Sequence, residues 1–159
     1  MAIGYTLIMK DKKLTEAVLV KQIEELGYMS NNIEQLAKGI AIDLNDEVGF
    51  SAYLFDSRNY PYNAWETIFL EDDFIYERVL EFRLNKGYSN IEKRYLVILN
   101  IIFNLAEELK ENAILISNGD TELCFFKEDS TIILNNESEI WNKKYFKDII
   151  SNKNTQYIN

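Results

Sequence analysis

The sequence contains no histidine. That absence removes Ser-His-Asp and Cys-His nucleophilic sites, imidazole acid–base catalysis and histidine metal ligands. There is one cysteine, Cys124, so no intramolecular disulfide can form and no cysteine pair exists to hold zinc. Cys124 stands between Leu123 and Phe125 in an apolar strand, where a thiol is packing material rather than a reactive thiolate. One proline and six scattered glycines leave no Gly-x-Gly-x-x-Gly or Walker-type phosphate loop and no long flexible linker. No uninterrupted apolar run approaches membrane-spanning length. The opening ten residues carry a short apolar run with no basic segment before it and no small-residue cleavage site. They read as a first strand rather than a signal peptide, and the expected location is the cytosol. Positive charge is scarce as well. The 17 Lys+Arg face 26 Asp+Glu, a net charge of −9, and no basic cluster lies on an aromatic strand, which argues against a nucleic-acid partner.

What the chain does have is apolar material. At 159 residues and 47% hydrophobic content it can bury a core without metals or disulfides. With no internal repeat, residues 1–150 are expected to form one domain and residues 151–159 a frayed tail. Residues 3–9 read as a strand with Tyr5, Leu7 and Met9 on one face and Ile3, Thr6 and Ile8 toward the other. Leu14, Val18, Ile23 and Leu26 suit an amphipathic helix that Gly27 ends. Strands are predicted over 33–38, 39–44, 49–55 and 74–84, with a turn at Asn45-Asp46-Glu47 and a longer connection from Asn59 to Asp73. In the last of these, Phe74, Tyr76, Leu80, Phe82 and Leu84 share one parity with Arg78. Ile75, Glu77, Val79, Glu81 and Arg83 share the other, so one face should be buried and one wet. Residues 91–111 form the strongest helical pattern, apolar around most of its circumference and therefore buried. Asn100, Asn104, Glu107, Glu108 and Glu111 make its polar stripe, and Ser89 or Asn90 its cap. Strands over 113–117, 122–127 and 131–134 follow, the first two joined by the hairpin signal Asn118-Gly119-Asp120, and then a short helix over 140–150. The expected fold class is α+β: an antiparallel sheet packed against a long buried helix, with N-terminal and C-terminal helices.

The acids are unevenly placed. Between Asp43 and Glu81 there are ten acids and two bases, a local balance of −8 that accounts for nearly all of the net charge. Such a field attracts a basic surface and speeds encounter with it. Tyrosines lie in the same stretch, and tyrosine gives large contact area at small entropic cost. The candidate partner-binding residues are Asp43, Asp46, Glu47, Tyr53, Asp56, Tyr60, Tyr62, Glu71, Asp72 and Asp73. Chemistry by carboxylates alone has little support. The pairs Asp72–Asp73 and Glu107–Glu108 are merely adjacent. The run from Asp43 fails as a calcium loop, because Glu47 and Val48 occupy the places of Asx and Gly.

Three pieces of text carry a family resemblance. They are Ile3-Gly4-Tyr5-Thr6-Leu7, the strand ending Glu81-Phe82-Arg83-Leu84-Asn85-Lys86, and a block comprising Gly119 to Phe126, Thr131 to Asn135 and Trp141. Together they resemble the Sit-type (swarming-inhibition) immunity proteins of bacterial polymorphic-toxin systems. The resemblance implies a cytosolic protein that binds and silences a cognate toxin domain and has no catalytic residue; the residues themselves suggest no cofactor, metal or membrane partner. It implies a structural or interface role for Arg83, and a region from Asn45 to Asp73 that varies with the toxin. A nuclease toxin would offer a basic cleft that an acidic surface could fill. The residues themselves leave a second class open, a structural or adaptor subunit of a phage or secretion assembly, and a third, a carboxylate-dependent hydrolase.

Overall fold

The computed structural model describes residues 2–29 and 32–158. Its centre is the first strand, β1 (Ala2–Met9), which pairs antiparallel on both sides. On one side lies a meander of β2 (Ile33–Leu36), β3 (Gly39–Leu44), β4 (Phe50–Asp56) and β7 (Arg78–Leu84). On the other lies a second meander of β8 (Ala113–Ser117), β9 (Thr121–Phe126) and β10 (Ile132–Leu134). With β11 (Thr155–Tyr157) the order across the nine-stranded sheet is β11-β10-β9-β8-β1-β7-β4-β3-β2. The architecture is α+β, as the alternation of strand and helix periods predicts. The stretch expected to fray supplies β11 instead, which adds the one parallel pairing among the described residues. Ile132 N–H donates to the Asn154 carbonyl and Ile158 N–H to that of Leu134, so the exposed edge of β10 draws in even this polar segment. The face assigned above to Ile3 lies outside the described side chains.

Among the described residues four α-helices accompany the sheet. Thr15 caps α1 (Glu16–Glu25), its hydroxyl accepting from Val18 N–H at 3.3 Å, and Gly27 at φ +91° ends the helical region as expected. The turn at Asn45 closes as one helical turn, α2 (Asn45–Val48), and Gly49 follows at φ 78° with the Tyr88 ring where a Cβ would stand. Asn90 rather than Ser89 caps α3 (Ile91–Leu109), accepting from Lys93 N–H at 3.2 Å. Its Val97, Ile98, Leu99, Ile101, Ile102, Phe103 and Leu105 are buried, which is why a helix this apolar stays in place. The pattern predicted over 140–150 divides at Lys143, whose backbone is extended. A single 3-10 turn (Glu139–Asn142) precedes α4 (Lys144–Ile150), and Trp141 packs edge-on to Phe146 across the break. α1, α3 and α4 all pack on one core with Tyr5, Leu7, Met9, Leu80, Phe82 and Leu84.

Two expectations fail for physical reasons. Residues 74–84 are not one strand: β6 (Phe74–Ile75) pairs with β5 (Ala64–Trp65) in a separate two-stranded unit, and the chain bends at Tyr76-Glu77 before β7. Period two does not survive the bend. Phe74 and Tyr76 therefore join Val79 in a second cluster, not Leu80 and Phe82 in the first. Glu111 does not extend the polar stripe of α3, because the helix has already stopped at Lys110 in a left-handed conformation (φ 51°). Its carboxylate is buried, and the backbone amides of Asp11 and Lys13 approach its oxygens without completing a well-formed hydrogen bond. Burial, with the nearby Asp11 charge, pushes its pKa up.

The end of β4 is fixed by charge. Arg78 donates to Asp56 Oδ1 through Nη2 at 2.7 Å and through Nε at 3.2 Å, and its Nη1 reaches the Leu14 carbonyl at 2.6 Å. Lys12 Nζ lies 3.4 Å from Asp56 Oδ2. One guanidinium thus joins β7 and β4 to the entry of α1. The hydrogen bond from Arg78 is the main cause that holds the Asp56 carboxyl below its ordinary range.

Phe82 is wholly buried, edge-on to Phe50 at 5.5 Å. Phe82→Ala should cost about 3–5 kcal/mol in urea unfolding at neutral pH. The two shifted carboxyls should act with opposite sign. Asp56 binds its proton more weakly when folded, so its contribution is present above the unfolded value of about pH 4 and is lost as pH falls through the folded one. Glu111 binds its proton more tightly when folded, so its cost appears as pH rises above the unfolded value of about 4. In unfolding free energies measured from pH 2 to 7, Asp56→Asn should flatten the acid limb, and Glu111→Gln should stabilise the protein at neutral pH.

Candidate protein-interaction face

Helices cover one face of the sheet. The pairing registers fix what the other displays. One row across it reads Leu36, Gly39, Phe55, Val79, Ile8, Ile114, Phe125 and Ile133. The next reads Glu34, Ala41, Tyr53, Glu81, Thr6, Ile116 and Glu122. A third begins Asp43, Ser51 and Arg83. The face therefore grades from apolar to polar within three rows. The apolar part is roofed by an excursion of the chain, residues 57–77, whose Trp65, Phe69, Phe74 and Tyr76 pack with Ile8, Val79, Ile114, Ile116 and Phe125. Phe69 and Phe74 place their rings 5.9 and 6.0 Å from that of Phe125.

The excursion is tied down by one carboxylate. Glu122 accepts from Trp65 Nε1 at 3.2 Å, from the Thr67 hydroxyl, and from Ile68 N–H at 3.0 Å. Strict alternation would place Glu122 with Cys124 and Phe126 on the helix side. A register shift between Leu115 and Ile116 in the β8–β9 pairing turns it to the face the excursion covers. Cys124 itself is wholly buried, and burial pushes its thiol pKa well up, away from the thiolate.

Beyond the excursion the polar rows are open. The Arg83 guanidinium lies 4.2 Å from the centroid of the Tyr53 ring, and its Nε donates to Glu81 Oε2 at 2.6 Å. The hydrogen bond to Glu81 is the main cause that raises the arginine's pKa further. Asn45 Nδ2 donates to the Ser51 hydroxyl at 2.9 Å, and Asn45 N–H donates to Asp43 Oδ1 at 2.9 Å. With Asn32, Ile33, Glu34 and Ala41 these side chains line a shallow concavity at the β2–β3–β4 side of the sheet. Arg83, which the resemblance marks as structural or interfacial, is partly exposed on this face.

The structure distributes the ten candidate residues over four places. Asp43 and Tyr53 lie on the open face. Asp46 and Glu47 stand exposed in α2, between β3 and β4, where Glu47 accepts from Met29 N–H at 3.4 Å. Tyr60 and Tyr62, each 72% exposed, open the excursion, and Glu71, Asp72 and Asp73 stand exposed on its loop before β6. Asp56 shares the parity of Leu54, on the helix side of the sheet, and is engaged by Arg78 and Lys12. It is not brought together with Asp43 and Tyr53. The sequence reading missed Ile68, Leu70 and Ile75. They are exposed members of the excursion, whereas their neighbours Phe69 and Phe74 point inward. It also missed Glu122.

Among the described residues no group of three or more Asp, Glu or Cys side chains is arranged to hold a metal ion, and no helix is long and apolar enough to cross a membrane. A search of curated proteins finds no match to the chain. A family model described as SitI3-like matches residues 3–144, which spans the sheet from β1 to β10, the excursion and α3. On that match the chain belongs to the SitI3-like family, a Sit-type immunity protein family.

Proposed function

We propose that this chain is a cytosolic antidote: it binds one cognate toxin domain and neutralises it, without catalysis, through its acidic, tyrosine-bearing surface. Family membership supports a toxin as the partner. The observation that carries the surface is the fate of the ten acids between Asp43 and Glu81. Asp56 and Glu81 are half-buried and each bonds an arginine, Arg78 and Arg83. The other eight are exposed, and none of them forms an ion pair among the described residues. Carboxylates that the fold leaves unneutralised project a negative field, and a basic protein surface is its complement. A nuclease, whose cleft must be basic to hold a phosphate backbone, is the toxin class that fits this field.

The test starts in cells. Where a toxin domain is encoded beside this gene, expressing it should stop growth, and co-expressing the chain should restore it. No rescue would remove the toxin reading. With the rescued toxin purified, neutralising Asp43, Asp46, Glu71, Asp72 and Asp73 together should slow association by roughly 10-fold or more at low salt and flatten its salt dependence. Unchanged association kinetics would remove the acidic surface from the account.

A further inference from the structure

Eight large hydrophobic side chains are exposed among the described residues, and five of them, Tyr60, Tyr62, Ile68, Leu70 and Ile75, fall within sixteen consecutive positions of the excursion. Single exposed apolar residues need no explanation, but a concentration on one short segment does. The alternation is regular. Ile68 and Leu70 flank the inward Phe69, and Ile75 follows the inward Phe74, with exposures of 51, 40 and 41%. The segment is held as well as displayed. Its inner rings pack on Phe125, its two short strands pair with each other, and Glu122 accepts three hydrogen bonds from Trp65, Thr67 and Ile68. Apolar side chains on a fixed support bind without the entropy cost of ordering a loop.

We propose that the outer side of this excursion is the centre of the toxin-binding face. Ile68, Leu70 and Ile75 are its apolar anchors, and the carboxylates of Glu71, Asp72 and Asp73 its charged border. The proposal rests on the toxin reading above and adds where, and by what chemistry, the toxin is gripped: by a toxin surface with an apolar centre and a basic rim. Charge selects this occupant over a second copy. Residues 57–77 carry five acids and one base, so a two-fold pairing of excursions would set like charges against each other. The apolar anchors govern how slowly the complex dissociates, and the border governs how fast it forms.

The probe is the toxin domain against which the chain protects in the growth assay. Ile68→Ser combined with Leu70→Ser alters only exposed side chains, so the thermal midpoint should hold. Toxin affinity should fall by about 30-fold or more, through faster dissociation and with the salt dependence of association unchanged. Glu122→Ala leaves every anchor in place. It should speed hydrogen exchange at the Ile68 amide and weaken toxin binding. A double variant that binds within about threefold of the parent would overturn the proposal while leaving the toxin reading standing. Faster exchange in Glu122→Ala with unchanged affinity would overturn the claim that the excursion acts as a fixed support. Self-association of the parent that the double variant abolishes would assign the patch to a second copy and overturn the proposal. A parent that neither protects nor binds would remove both readings together.

Discussion

A sheet of nine strands has two faces, and the helices of this chain suffice for one. α3, buried along most of its length, takes the centre of that face with α1 and α4 beside it. The second face carries an apolar row through Phe55, Val79, Ile8, Ile114 and Phe125, which water cannot be left to cover. No helix among the described residues remains for it, and the chain leaves the sheet between β4 and β7 and lays residues 57–77 across it. The excursion is therefore a structural necessity before it is anything else. Its inner side completes the core, and its outer side and the uncovered polar rows become the surface most distinctive of this molecule.

That constraint explains which parts of the fold are legible in the sequence. The short apolar runs that become β3, β4 and β8, the Asn118-Gly119 hairpin and the apolar helix α3 are local signals, and the structure realises each within a residue or two. The excursion has no period to read, because its residues serve two environments in alternation over too few positions. The bend at Tyr76-Glu77 puts Phe74 and Tyr76 on the other side from the parity read in the sequence, and the register shift in β9 does the same to Glu122 relative to strict alternation. Glu111 is the same failure in a helix. The periodicity that places it on a polar stripe continues past the point where α3 ends.

The candidate surface was legible in density but not in direction. Counting charge finds the acidic stretch between Asp43 and Glu81, and most of its carboxylates are exposed. Counting does not reveal that Arg78 absorbs Asp56 on the helix side, or that Arg83 is held between Glu81 and the Tyr53 ring. Two of the acids and one of the tyrosines are thus engaged within the fold. Ile68, Leu70 and Ile75 gave no signal at all, since an isoleucine or leucine in sequence looks like core wherever it stands.

The way the excursion is attached also bears on how one scaffold can meet different partners. It is held from inside, by Trp65, Phe69 and Phe74 and by the hydrogen bonds to Glu122. Ile68, Leu70 and Ile75 are exposed and are members of neither buried cluster, so exchanging them changes what a partner meets while the inward rings stay in place. The field of the eight exposed carboxylates is long-ranged and depends weakly on their arrangement, whereas apolar complementarity depends on each side chain at short range. If the outer side of the excursion is the toxin-binding face proposed above, encounter rate is a property that composition alone can maintain, and discrimination between toxins falls to a few outward positions of a roof whose inward positions are fixed by the sheet beneath it.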